Sequence, residues 1–326
     1  MGIRNVRFKG LTLFCVLLIL PLLTSSCAVD EFELLRNLID VELQGIDKPT
    51  KSVDDVKNIV DDATQSALYT IVSARSAEHY ATGHVPGAIN ISWKSIAEDS
   101  SLALLDKGTD VITYCYTGHT GGIAATILTV LGYNTSNMKF GMMGWTDDPD
   151  VLNTTPFDCD PPNYDTETTS NDPSADNLLP AISTGGTNAE DIAQSQAQAY
   201  LSSGRAPVMT VDEVKNIVDD ATQSTLYTIV SVRSAEHYAT GHVQGAINIS
   251  WKDIAKVENL TKIPTDKKVI TYCYTGHTGA IAATVLNLLG YEAYNMKFGM
   301  MGWTDDPDVL NIPVFDCDPP NYDTES

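Results

Sequence analysis

Two octapeptides of this chain place a cysteine where it could act as a nucleophile: Tyr114-Cys-Tyr-Thr-Gly-His-Thr-Gly121 and Tyr272-Cys-Tyr-Thr-Gly-His-Thr-Gly279. Each follows a β-branched run (Val111-Ile112-Thr113, Val269-Ile270-Thr271) and precedes an apolar segment at helical spacing. That pattern predicts a strand, a tight loop and a helix, with the cysteine at the strand end. Inward-pointing backbone N–H groups and the positive end of a helix both favour a thiolate over a thiol. Cys115 and Cys273 are therefore the candidate nucleophiles, working through a covalent intermediate without a metal or cofactor.

The elements that must position these loops are written twice. Equivalent residues lie 158 positions apart, and Val53–Trp93 differs from Val211–Trp251 at only four: Asp55/Glu213, Ala67/Thr225, Ala74/Val232 and Pro86/Gln244. Asn137–Asn153 repeats unchanged as Asn295–Asn311, while Ser95–Asp110 and Asp253–Lys268 diverge. A period this long means tandem domains, not a solenoid. Within each unit a helix over 211–220 opens at a capping box, Thr210 to Glu213, with Ser52 at the equivalent cap. Strands follow at 68–73 and 226–231, 87–91, 111–115 and 137–140, and the helix after the cysteine is expected over 121–131. Lead-in helices are expected over 31–44 and 190–201, and 158–186 reads as exposed connecting chain. Alternating strands and helices imply a parallel sheet covered on both faces, which binds ligands at the carboxyl ends of its strands.

The chain has 326 residues and a formal charge of −22. So acidic a surface argues against nucleic acid and against electrostatic docking on anionic lipid, and any anion site must be local. Arg4, Arg7 and Lys9 precede the apolar run Leu11–Leu23, which is too short for a comfortable membrane span. With Leu23-Thr24-Ser25-Ser26-Cys27 the segment resembles a bacterial lipoprotein signal, although Thr24 stands where Leu is usual. The resemblance implies cleavage after residue 26, lipidation of Cys27 and an exported, envelope-side protein whose membrane contact is the lipid anchor alone.

Three motifs occur in the same order in both units: Val72-Ser-Ala-Arg-Ser-Ala-Glu-His-Tyr-Ala-Thr-Gly-His-Val-Pro-Gly-Ala-Ile-Asn90, the Cys-Tyr-Thr-Gly-His-Thr loop, and Phe140-Gly-Met-Met-Gly-Trp145. Together they resemble the rhodanese (sulfurtransferase) family. The resemblance implies an α/β fold of two tandem domains, each a parallel sheet of about five strands flanked by helices, at 31–163 and 189–326 with a linker at 164–188. It implies that Cys115 and Cys273 take a sulfane sulfur from thiosulfate, polysulfide or a persulfide and pass it to a thiophilic acceptor. Loop amides would hold the persulfide anion, with Tyr116, Thr117, Gly118, His119, Thr120 and Gly121 forming one binding loop and Tyr274, Thr275, Gly276, His277, Thr278 and Gly279 the other. Thr117, His119, Thr120 and their partners could also donate to an incoming oxyanion. Related cysteine phosphatases have a longer loop closed by an Arg; residues 115–120 contain no Arg or Lys, which disfavours a phosphate dianion. Ser73 and Ser231 stand where the family commonly has Asp, and both copies keep a cysteine where many two-domain members keep one.

The remaining residues carry plainer expectations. His84 and His242 suit a structural hydrogen-bonding role, His79 and His237 a helix-surface or packing role, and Met142, Met143 and Trp145 a core or pocket wall. Arg75 and Arg233 are expected to hold the fold. Cys159 and Cys317, in identical Phe-Asp-Cys-Asp-Pro-Pro-Asn-Tyr tails, could join as a structural disulfide, resolve a loop cysteine, or stay free. The expected partners are a small sulfur-containing substrate and a thiol or protein acceptor. The competing functions are a non-catalytic persulfide carrier and a thiol redox switch.

Overall fold

Ser52 accepts a hydrogen bond from Asp55 N at 3.0 Å and Asp55 returns one to Ser52 N at 3.1 Å, closing the box that starts helix Val53–Asp61. Thr210 and Glu213 do the same for helix Val211–Asp219. These caps are seen in a computed structural model of the chain, which describes residues 30–173 and 175–326. The signal segment and Cys27 lie outside the described residues. Among the described residues no helix is long and apolar enough to cross a membrane.

The strands of the first half are β1 (Thr50–Lys51), β2 (Tyr69–Ser73), β3 (Ile89–Asn90), β4 (Asp110–Tyr114) and β5 (Thr135–Met138). The second half repeats them as β6 (Val208–Met209), β7 (Tyr227–Ser231), β8 (Ile247–Asn248), β9 (Lys268–Tyr272) and β10 (Ala293–Met296). Each set forms a five-stranded parallel sheet, β1-β5-β4-β2-β3 and β6-β10-β9-β7-β8, so the fold is α/β as the alternation implies. The strand at 137–140 falls short of its expected end. Phe140 takes a left-handed φ of 65° and turns the chain into the short helix Gly141–Trp145.

Alternation along β4 sorts its side chains between two cores. Val111 and Cys115 face the cluster built on helices Glu31–Gly45, His119–Val130, Ala189–Ser202 and His277–Leu288. Ile112 and Tyr114 face the other, with Met142, Trp145 and Leu152. Both clusters include residues of both halves: in the first, His119–Val130 packs directly on His277–Leu288, and in the second Phe140 packs on Phe315 and Phe157 on Phe298. A Cβ added at Gly122 would sit 3.4 Å from Ala280 Cβ, which shows how close the two backbones run. Every residue of His119–Val130 except Thr120 is buried, so this helix is a central layer and not an amphipathic cover.

The halves also exchange their outer segments. Helix Glu31–Gly45 reaches the second half, where Gln44 donates to Lys252 O and Lys252 donates to Ile46 O. Helix Ala189–Ser202 reaches the first, with Gln194 and Gln198 donating to Ala97 O. The stretch read as connecting chain is laid along the second domain: Trp303 Nε1 donates to Asp165 O, and Glu167 bridges His242. The C-terminal tail does the same on the first domain, where Trp145 Nε1 donates to Asp323 O and Glu325 bridges His84.

Candidate active site at two facing cysteine loops

The loop after β4 is set by a glycine. Gly118 has φ 89° and caps helix His119–Val130, which therefore starts two residues earlier than the sequence suggests. Its N–H donates to Cys115 Sγ at 3.1 Å, and Gly276 N donates to Cys273 Sγ at the same distance. The amide and the N-terminus of a twelve-residue helix both stabilise negative charge on the sulfur. The loop's own carbonyls are turned away and tied down: Met142 N donates to Cys115 O and Met143 N to Tyr116 O, each at 2.9 Å. Asn137 Nδ2 donates to Gly118 O at 2.8 Å, and Thr113 Oγ1 to Gly121 O at 2.8 Å. Gly141 is required here, since a Cβ on it would lie 2.3 Å from Cys115 O.

Each loop histidine is engaged by the opposite half. His119 reaches across to the second half, where its Nε2 accepts from Phe298 N at 2.9 Å; His277 Nε2 accepts from Phe140 N at 2.9 Å. The two rings stack with centroids 6.1 Å apart. Burial, helped by the Lys297 charge, lowers the His119 pKa to about 3; burial, with His119 and Lys139, holds His277 well below its ordinary value. Both imidazoles are therefore neutral and supply no cation. With Nε2 accepting, Nδ1 carries the proton and donates to Thr117 Oγ1 (Thr275 Oγ1) at 2.9 Å, which leaves the threonine hydroxyl proton available within the loop.

The cysteines themselves are 1% and 2% exposed. Thr117, Thr275 and loop glycines 118, 121, 276 and 279 are buried too, while Tyr116, Tyr274, Thr120 and Thr278 are partly exposed. Tyr116 is gripped by His79, whose Nδ1 lies 2.7 Å from the phenol oxygen, and Tyr274 by His237 in the same way. The sequence reading missed this role, although both residues sit on the helix that Ser76 or Ser234 caps. His84 and His242 keep to structural duty, each bonded through Nδ1 to the carbonyl of the tyrosine it stacks on. Arg75 is fully buried and bonds Val151 O and Gly83 O, with Ser73 Oγ beside it where an acidic partner would otherwise stand. Among the described residues there is no cluster of three or more His, Cys, Asp or Glu that could hold a metal ion.

The rhodanese-like domain family matches residues 52–148 and 210–306, more than half of the chain, and both matches contain a cysteine loop. The chain belongs to this family. The thiosulfate sulfurtransferase PspE of Escherichia coli is 40% identical over 62 residues, 19% of this chain and 60% of that protein. The thiosulfate sulfurtransferase of Pseudomonas aeruginosa is 33% identical over 104 residues, covering 28% and 37%. This chain thus spans less than two thirds of either relative. A solved rhodanese-like domain protein from Staphylococcus aureus aligns at 24% identity and TM-score 0.28, covering 30% of this chain and 92% of that one.

Beside the paired rhodanese-like loops, the two tails meet. Cys159 and Cys317 form a disulfide with Cα atoms 6.2 Å apart, so the pair is taken up in the crossing and Cys115 and Cys273 are the free thiols among the described residues. Phe157 and Phe315, two residues before each, pack on Phe298 and Phe140 with centroids 4.8 and 4.7 Å apart. A cavity of about 250 Å³ lies against Cys317, lined by Met143, Leu152, Phe157 and Phe315 among others.

Proposed function

We propose that the chain is a sulfurtransferase using Cys115 and Cys273 as persulfide-forming nucleophiles. The observation that carries the reading is the Gly118 and Gly276 N–H on each sulfur, at a helix N-terminus inside each rhodanese-like domain. The thiolate attacks the outer sulfur of a donor such as thiosulfate; the new S–S bond forms as the bond to the sulfonate breaks, and sulfite leaves with the electron pair. A thiophilic acceptor then takes the terminal sulfur and returns the thiolate. In the cyanide assay the product is thiocyanate. Loop amides carry the charge, which stays at one negative unit on the enzyme throughout, so the site needs a fixed anion cradle more than a proton shuttle.

The near-complete burial of both sulfurs gives weight to a second reading, a carrier that is loaded once and emptied by a partner protein. Intact mass without reductant separates them. Incubation with thiosulfate or polysulfide should add one sulfur, about 32 Da, per loop cysteine, absent in Cys115→Ser and Cys273→Ser and removed by cyanide. Repeated thiocyanate formation marks an enzyme; loading without turnover marks a carrier; no added mass with any donor overturns both. Export is part of the proposal. It is supported by the basic and apolar N-terminal pattern before Cys27 and by the Cys159–Cys317 disulfide, which suits an oxidising compartment. Lipid on Cys27 would put the wild type in the membrane fraction and Cys27→Ala outside it.

A further inference from the structure

The sequence shows no cation in either cysteine loop, and the neutral histidines do not replace it. We propose that each cysteine site is completed in trans, with Lys297 of the second half serving Cys115 and Lys139 of the first half serving Cys273. The proposal rests on the sulfurtransferase reading for its substrate, an anionic sulfur donor, but not for its geometry.

The placement comes from the crossing at the centre of the molecule. Lys297 and Lys139 directly follow β10 and β5, each fixed by its backbone N–H to the neighbouring edge strand, at Met209 O and Lys51 O. The next residues, Phe298 and Phe140, take left-handed φ values of 64° and 65°. Such a conformation is costly for a phenylalanine and persists only when surroundings over-determine it. Its effect here is to aim the Phe298 N–H at His119 Nε2 and the Phe140 N–H at His277 Nε2. Each lysine thereby stands one residue from an amide bonded to the loop histidine of the opposite half. Its ammonium lies over the adjoining phenylalanine ring, 4.9 Å for Lys297 and 5.0 Å for Lys139, and those rings pack edge-on to His119 and His277.

The electrostatics follow the same crossed pattern. Burial lowers the pKa of Lys297, and the charge of Cys115 partly restores it; Lys139 responds to Cys273 in the same way. The chain carries 20 Lys and Arg against 42 Asp and Glu. Two of those few cations stand, half-buried, one residue from the crossed Phe298–His119 and Phe140–His277 hydrogen bonds. A half-buried ammonium is less screened than a surface one, so it can act on both thiolate and donor anion. The consequence is that neither site is whole unless the halves are docked.

The test uses the full chain with its disulfide intact, in two backgrounds that leave one loop cysteine each. With Cys273→Ser, the pH profile of Cys115 alkylation by iodoacetamide and the KM for thiosulfate are measured for Lys297→Gln and Lys139→Gln; with Cys115→Ser the same pair is read at Cys273. A crossover is expected. Lys297→Gln should raise KM about tenfold and move the alkylation profile to higher pH at Cys115, and Lys139→Gln should do so at Cys273, each effect several-fold larger than that of the other lysine. Lys297→Arg should recover most of the loss at unchanged urea midpoint, which separates charge from folding. Equal effects of the two lysines at one cysteine, or a larger effect from the lysine of the same half, overturns the proposal. Absence of thiosulfate turnover in the parent instead removes thiosulfate as the donor, and the alkylation profiles still decide where each lysine acts.

Discussion

Helices Glu31–Gly45 and Ala189–Ser202 hold equivalent places in the two halves yet share little sequence, whereas the cysteine loops and the Phe-Gly-Met-Met-Gly-Trp turns are the same residue for residue. The difference follows from what each region touches. The lead-in helices dock crosswise on the turns at Trp251–Asp253 and Trp93–Ser95, at the start of the segments that also diverge. Each helix therefore meets its own counterpart surface, and the two contacts can be solved with different residues: Gln44 with Lys252, but Gln194 with Ala97 and Asp99. The loops lie around a pseudo-two-fold axis, where each residue meets the copy of its own partner. A side chain there must work on both sides at once, as in an isologous dimer interface. Gly122 facing Ala280 is a departure inside that seam, and it is a contact with room for one methyl group.

The largest expected break of this symmetry is Gly118→Ala or Gly276→Ala. An added Cβ would lie 2.5 Å from the histidine Nε2 of the other half, at a left-handed φ. Each should cost about 3 kcal/mol or more by urea unfolding, and the two costs should agree closely; tolerance at either site would mean that the loops do not pack as two-fold-related partners. Next comes Cys159→Ser, expected to cost about 2–4 kcal/mol and to make unfolding insensitive to reductant. It should also speed labelling of both buried loop thiols, since the tails that it ties hold the halves together.

Acid should weaken the seam through its two imidazoles. Both are neutral when folded and protonate near pH 6.5 when unfolded, so below that pH the unfolded chain binds more protons. Their stabilisation is complete above pH 6.5 and falls as pH drops toward about 3, where His119 titrates in the folded chain. The slope approaches about 1.4 kcal/mol per pH unit for each histidine. A His119→Gln, His277→Gln double variant should be weaker at pH 7 but show a flatter profile between pH 6.5 and 4. Smaller still is the contrast between the crossed tails. Glu167 lies 3.3 Å from His242 and is held by Asn171, while Glu325 lies 3.9 Å from His84 and is more exposed. Glu167→Gln should cost about 1 kcal/mol and Glu325→Gln less. Gly122→Ala should change stability by no more than about 0.5 kcal/mol, sharpening the claim that one methyl fits at the axis.

Much of each half was legible. The capping boxes at Ser52 and Thr210, the β-branched strands and the glycine-bearing loop are local signals, and the main helices and the parallel sheet follow from them, whereas the two-residue edge strands β1 and β6 carry no such signal. Two element ends were misplaced for local reasons as well: Gly118 acts as a left-handed cap, and Phe140 leaves the strand by a conformation that phenylalanine seldom adopts. The relation between the halves was not legible. His119 meets Phe298 and His277 meets Phe140 across more than a hundred residues, and nothing in a repeated motif says whether its partner is its own copy or the other. Lys139 and Lys297 therefore went unnoticed beside the turn motif, and Cys159 and Cys317 kept three possible roles until the tails were seen to cross.

The exchanged tails also bear on how this polypeptide is made. While the first half emerges from the ribosome, Trp145 awaits a carbonyl 178 residues downstream, Phe140 awaits His277, and Glu31 awaits the amides of Thr184 and Gly185. Its fold cannot be finished during its own synthesis. Until the second half arrives, the partner surface nearest in kind is the first half of another nascent chain on the same messenger, whose sequence is almost the same. Translation speed through the repeat is thus expected to govern how many chains close on themselves and how many become entangled with a neighbour.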